Sequence, residues 1–180
     1  RQISFLETDI GKNKAEILKK NILKINPELD VSVIKKKITS RNINLLINDC
    51  KFIIDCSDNF ETRFLINEYC FKKKKILVSA ALQNFDVQVS SFKAWASKKN
   101  PCYECIFPKF SDGNILNCDQ MGIVSPIAGF GGIMQAITVV NIILGCDQKI
   151  FRELIIFDGF SREMKKIKVE KNVKCKICKY

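Results

Sequence analysis

The first half of the chain switches repeatedly between helical and strand periodicity. Ala15, Leu18, Ile22 and Ile25 recur at helical spacing after a turn at residues 9–13, and Pro27 ends the run. Residues 31–34 read as a short strand. Ile43, Leu46 and Ile47 give a small helix one inward face, with Ser40 placed to cap it. Residues 52–55, Phe-Ile-Ile-Asp, read as a short buried strand. Ser57, Asp58 and Asn59 are turn and N-cap residues that pivot the chain into a helix reaching about Phe71, with Phe60, Phe64 and Leu65 towards a sheet. A strand over 76–79 completes the series. Such alternation predicts an α/β fold: a Rossmann-like, mainly parallel sheet with flanking helices.

The second half changes character. Residues 87–93 alternate as a strand does, and residues 109–121 are polar and glycine-containing, as in a loop. Residues 123–144 carry no charge and are long enough to span a bilayer. Pro126, Gly129, Gly131, Gly132, Gln135, Thr138 and Asn141 interrupt that run, so a helix in a core or a subunit interface is the expectation, with no membrane role. Residues 152–157 and 163–169 form an antiparallel hairpin around Asp158-Gly159. No G-x-G-x-x-G follows a strand; Gly129-Phe130-Gly131-Gly132 lies inside the apolar run.

Composition narrows the chemistry. A length of 180 residues allows one domain with its own core, and 47% hydrophobic with 27% charged residues is ordinary for a soluble protein. The net charge of +11 is spread over scattered lysines with few interleaved aromatics, which favours solvated faces over a nucleic-acid groove. An acidic protein partner or an anionic cofactor is compatible with that charge. Histidine is absent, which excludes Ser-His and Cys-His catalytic pairs and every His-ligated metal site. Nine cysteines without the even spread of a small disulfide framework, and without a visible signal peptide, point to a reducing, cytoplasmic setting with metal-binding or reactive thiols. The sequence starts at Arg1 rather than Met, and upstream residues are expected.

Several residues carry candidate chemistry. Cys102-x-x-Cys105 and Cys175-x-x-Cys178 are two knuckles whose four thiolates suit a closed tetrahedral zinc site that pins the tail; a dithiol redox motif and coincidence are the alternatives. Cys118, alone in the polar loop, is a candidate nucleophile or sulfur carrier, or simply one more cysteine. Lys14, just inside the first helix, is either a phosphate ligand or a surface lysine. Ligands of open α/β sheets bind beyond the C-terminal strand ends, which places Asp58, Asn59 and Arg63 near such a crevice.

The motifs, in order, carry a resemblance. Arg1-Gln2, Asp9-Ile10-Gly11-x-x-Lys14 and Asn26-Pro27 are followed by Asp55-Cys56-Ser57-Asp58-Asn59, Thr62-Arg63 and Asn67. Then come Cys102-Tyr103-x-Cys105-x-x-Pro108, Gly122-x-x-x-Pro126, Gln135-Ala136, Phe157-Asp158-Gly159 and the last C-x-x-C. Together they resemble the ThiF/MoeB/HesA adenylyltransferases, relatives of the ubiquitin-activating E1 enzymes, over nearly the whole chain. The resemblance implies a single, N-terminally incomplete adenylation domain over residues 1–180, since the family's glycine-rich loop precedes the position of Arg1.

It implies an enzyme that uses ATP and magnesium to adenylate the C-terminal glycine of a ubiquitin-like sulfur-carrier protein. Thiamine biosynthesis is the first expectation, from the N-C-x-x-x-G-x-x-x-P run at 117–126; the molybdopterin-synthase carrier or a non-catalytic, carrier-binding remnant are the alternatives. By motif position Arg1 and Lys14 would contact the triphosphate, Asp58 would help hold magnesium, and Asn59 would line the nucleotide crevice. Cys118 falls where some members carry the thiol that links to the carrier or a sulfur donor. Cys102, Cys105, Cys175 and Cys178 match the family zinc site, and members commonly form homodimers through the helical region.

Overall fold

The computed structural model describes residues 2–109, 122–145 and 147–179. Its centre is one five-stranded sheet in the order β1-β2-β3-β4-β5. The strands are β1 Phe52–Asp55, β2 Ile76–Gln83, β3 Asp86–Phe92, β4 Glu153–Asp158 and β5 Glu163–Lys168. The helices are α1 Lys14–Ile25, α2 Ile43–Ile47, α3 Phe60–Lys72, α4 Tyr103–Ile106 and α5 Ser125–Ile143.

The sheet is mixed. β1 and β2 are parallel, joined through α3, whereas β2–β3, β3–β4 and β4–β5 are antiparallel. The parallel part therefore stops where the sequence stops alternating strands with helices. Residues 31–34, expected as a strand, are not in strand conformation. An extended segment becomes a strand only where a neighbour supplies its hydrogen bonds, and no strand pairs with this one among the described residues.

Side-chain alternation along the strands divides the core between the two faces of the sheet. Ile53, Leu77 and Phe92 meet Ile43 of α2, Ile66 and Tyr69 of α3, and Tyr103 of α4 on one face. On the other, Val78, Ala80, Val87 and Val89 meet Ile127 of α5, with Phe130, Met134 and Phe157 packed alongside. A Cβ on Gly131 would lie 2.6 Å from Leu82 Cδ2, so the missing side chain sets how closely α5 approaches β2.

The helical faces meet the sequence expectation to different degrees. No residue of α1 is buried, and Leu18 and Ile22 are exposed, so the expected apolar face finds no partner among the described residues. In α3 the expected Phe64 and Leu65 pack partly buried against the core, Phe60 is half-buried, and the fully buried positions are Arg63, Ile66, Asn67, Tyr69 and Cys70. That helix turns two polar side chains inward because each has a buried partner, as described below. α5 buries only Ile127, Gly131, Gln135 and Thr138 of its length, leaving Ile133, Ile137, Val140 and Ile143 exposed. It remains long and apolar enough, by length and composition, to cross a membrane. The hairpin at Asp158-Gly159 forms as the sequence suggests, with Asp158 accepting from the Phe160 and Ser161 amides.

Candidate active site and metal centre

The turn after β1 is built from below. β-strand alternation puts Asp55 on the same face as Ile53, towards α3, where it is 2% exposed. Arg63, in the first turn of α3, is 6% exposed and pairs with Asp55 (Nη1 to Oδ2, 3.9 Å). Its guanidinium also donates to Ser79 Oγ at 3.0 Å, to the Ala80 carbonyl at 2.8 Å and to the Ser57 carbonyl. Asp55 accepts in addition from the Ser57 amide at 2.9 Å, the Ser57 hydroxyl at 2.6 Å and the Ser79 hydroxyl at 3.3 Å. A cation at a helix N-terminus opposes the macrodipole, and here the buried carboxylate offsets it.

From the other face of the sheet, Gln135 of α5 donates through Nε2 to the Asp55 carbonyl at 3.0 Å and to the Val78 carbonyl at 3.3 Å. Its Oε1 accepts from Cys56 Sγ at 3.3 Å. Every backbone group that a strand end leaves without a ladder partner has to be satisfied. Arg63 and Gln135 meet that need from opposite sides, which fixes the path of residues 55–59.

Above this base sit two of the sequence candidates. Asn59 caps α3 by accepting from the Thr62 amide at 2.9 Å, and its amide group donates to Asp58 Oδ1 at 3.3 Å. Asp58 is exposed at the C-terminal end of β1, with its second carboxylate oxygen towards no hydrogen-bond donor among the described residues. Arg63, expected beside these two at the crevice, lies beneath the turn instead and is committed to holding it. Lys14 is the first residue of α1, whose N-cap Asn13 accepts from the Ala15 and Glu16 amides. Its ammonium donates to Gln2 Oε1 at 3.0 Å and lies 5.7 Å from the Phe5 ring centroid. It makes no hydrogen bond or ion pair with Asp58 or Asn59 among the described residues. Arg1 and Cys118 lie outside the described residues.

The four knuckle cysteines converge. Cys102 Sγ is 3.8 Å from Cys105 Sγ and 3.6 Å from Cys175 Sγ, and Cys105 Sγ is 3.3 Å from Cys178 Sγ. All four sulfurs lie within 4.8 Å of one another and could hold a metal ion. A tetrahedron with metal–sulfur bonds of about 2.3 Å has sulfur–sulfur edges of about 3.8 Å, so the spacing fits such an ion. Cys102, Cys175 and Cys178 are buried against Ala94, Phe71 and Ile177. Sulfurs this close compete for protons: hydrogen bonds from Cys102 and Cys178 draw the Cys105 thiol down, while the contact with Cys105 pushes Cys102 up.

Asn67 of α3 links this centre to the rest of the core. Its Nδ2 lies 3.7 Å from Cys102 Sγ and its Oδ1 accepts from the Tyr103 amide at 2.9 Å. Sequence reasoning gave no role to Asn67 or Gln135. The available signal was a polar residue placed inside an otherwise apolar helical face.

Comparison with known proteins agrees with this architecture. Among relatives, the chain is 29% identical over 181 residues to the sulfur carrier protein adenylyltransferase of Thermus thermophilus, covering 99% of this chain and 67% of that protein. It is 31% identical to the adenylyltransferase and sulfurtransferase MOCS3 of Drosophila ananassae, covering 99% of this chain and 39% of that protein. The chain thus spans about two-thirds of the bacterial relative and about two-fifths of the insect one. Among solved structures, Escherichia coli MccB with ATP superposes with a TM-score of 0.79 at 20% identity, covering 98% of this chain and 54% of that one. The microcin C7 biosynthetic enzyme MccB in complex with N-formylated MccA gives 0.82 at 19%, covering 98% and 55%; at these identities the likeness establishes the fold. The match to the family runs from residue 1 to residue 177, through the β1 turn and three of the four cysteines of the metal centre, and the chain is a member of the ThiF family.

Proposed function

We propose that this chain is the adenylation domain of an enzyme that activates the C-terminal glycine of a ubiquitin-like sulfur carrier with ATP and magnesium. The observation that carries the reading is the Asp55–Asn59 turn. It is held rigidly from both faces of the sheet, yet it presents the Asp58 carboxylate to solvent at the C-terminal end of a parallel strand, where α/β folds bind ligands. The names of the relatives, a sulfur carrier protein adenylyltransferase and MOCS3, support the substrate class.

In this reaction the carrier carboxylate attacks the α-phosphorus and the bond to pyrophosphate breaks. Positioning and charge neutralisation supply most of the acceleration for such chemistry, and a chain without histidine can run it. Asp58 would share in holding magnesium, whose charge offsets the triphosphate. Lys14 and Arg1 would contact the phosphates, and Asn59, as α3 cap, sets the direction in which Asp58 points. Cys118 is proposed as the thiol that receives sulfur or links to the carrier. Thiamine biosynthesis is the pathway we favour, on the N-C-x-x-x-G-x-x-x-P run at 117–126.

The cysteine centre is proposed as a structural zinc site in a cytoplasmic protein. With four thiolates a tetrahedral ion has no open position, so its contribution is to staple the tail to α4. The outer face of α5, with Ile133, Ile137, Val140 and Ile143 exposed, is proposed as a homodimer interface.

Carrier-dependent ATP–pyrophosphate exchange by the full-length protein tests the central reading. Asp58→Ala is expected to lower exchange by about 10²-fold or more, with carrier binding retained. Undiminished exchange in that variant would remove Asp58 from the reaction and the proposal with it.

A further inference from the structure

The described residues form an open surface cavity of about 460 Å³ that the adenylation reading does not use. Lys98, Lys99, Arg152, Lys171 and Lys179 line it, with Glu170 as the one acidic side chain. Its position follows from strand direction. β2 and β4 both run antiparallel to β3, so Arg152, just ahead of β4, sits at the end of the sheet where β2 begins. The Asp55–Asn59 turn follows β1, whose last residue, Asp55, is level with Ser79 and, through Ser90, with Leu154. The cavity is therefore separated from the proposed nucleotide crevice mainly across the sheet, from β4 to β1 with β2 and β3 between them. The cysteine centre anchors its far wall, because the tail that carries Lys171 and Lys179 is fixed there by Cys175 and Cys178.

We propose that this cavity binds a small polyanion carrying phosphoryl groups. Like charges gathered into one concavity repel unless an anion is present, and here Lys98, Lys99, Arg152 and Lys179 share one carboxylate. That carboxylate is already engaged, since Glu170 pairs with Lys168 at 3.3 Å. Lys98 and Lys99 have no carboxylate partner among the described residues.

Arg152 supplies the second observation: its Nε is buried and has no hydrogen-bond partner among the described residues. Arg152 also lines the cavity, and a guanidinium edge matches a phosphoryl or carboxylate group bidentately. The surrounding lysines act as adjustable point charges. Their number selects a ligand of charge −2 or more over a single carboxylate. The volume is that of a small-molecule site rather than a macromolecular groove.

Calorimetric titration of the full-length protein with inorganic pyrophosphate at low salt is the test, with acetate as the singly charged comparison and Lys14→Ala as the control for binding at the nucleotide crevice. Expected are saturable pyrophosphate binding that weakens with added salt, no saturable acetate binding, and about tenfold or greater weakening in Arg152→Gln and in the Lys98→Ala/Lys99→Ala double variant. Lys98 and Lys99 are exposed, so the double variant reports on binding even where Arg152→Gln fails to fold. Lys14→Ala is expected to remove at most the component of pyrophosphate binding that belongs to the nucleotide crevice, leaving the component that the Lys98→Ala/Lys99→Ala variant weakens. Wild-type affinity in the double variant, loss of all pyrophosphate binding in Lys14→Ala, or equal binding of acetate would each overturn the assignment.

Discussion

Arg63→Met tests the claim that the β1 turn is held by a buried ionic network. Arg63 and Asp55 are 6% and 2% exposed, so the substitution leaves a carboxylate in the interior without its cation. Removing one partner of a buried ion pair costs about 3–5 kcal/mol. The Ser57 and Ala80 carbonyls also lose a donor, each at about 1–3 kcal/mol when nothing replaces it. Three donors to Asp55 survive, from Ser57 and Ser79, and water entering at the exposed turn recovers part of the rest. A net loss of about 3–5 kcal/mol is expected, a large fraction of the roughly 5–15 kcal/mol that stabilises a domain.

Urea unfolding followed by circular dichroism would read this as a midpoint lower by about 2 M, for a slope near 2 kcal/mol/M. The double variant Asp55→Asn/Arg63→Met is expected to be more stable than Arg63→Met alone, because it leaves no uncompensated charge. A midpoint change below about 0.5 M, or a double variant no better than the single one, would refute the network.

Other substitutions probe separate parts. Asn67→Leu removes the donor to Cys102 and the acceptor for the Tyr103 amide, and zinc affinity measured by chelator competition should fall by about 10–100-fold; unchanged affinity would show that Asn67 does not support the centre. The Asp158 carboxyl is held below its ordinary value of 3.8 by hydrogen bonds from the Ser161 hydroxyl and the Ser161 and Phe160 amides. A depressed folded-state value gives stability that is present above the unfolded value and lost as the pH falls through the folded one. Asp158→Ala should therefore melt below wild type at neutral pH and converge with it below pH of about 4; a difference independent of pH would refute that assignment. Ile137→Glu, at an exposed site on α5, should convert a dimer to a monomer in light scattering with little change in melting temperature; a mass that does not change would argue against that interface.

Much of this was open to inspection in the chain. The strand at 52–55, the Asn59 cap, the hairpin at Asp158-Gly159 and the two cysteine knuckles each depend on residues adjacent in sequence or on fixed spacing. Local chemistry determines such features, so reading them needs no knowledge of distant partners. The inward face of α3 was legible only in part, for the opposite reason. Apolarity selects Phe64 and Leu65, which do pack against the core, but Arg63 and Asn67 also turn inward because Asp55 and Tyr103 await them. α5 was hidden in the same way: a uniformly apolar helix does not announce which side meets the sheet. The packing of Ile127 on the sheet, the close approach at Gly131 and the reach of Gln135 to Asp55 identify it.

The sequence by itself determined the strand–turn–helix unit around Asp58, the four-cysteine set and the family these motifs belong to, since order and spacing along the chain carry that information directly. Only the tertiary structure decided that the sheet is mixed, that Arg63 and Gln135 lock the turn from opposite faces, and that five cations from three separate segments share one cavity. These are consequences of residues brought together by the closing of the sheet. A one-dimensional pattern records what each residue prefers, whereas a buried polar group is tolerated only where folding delivers its partner.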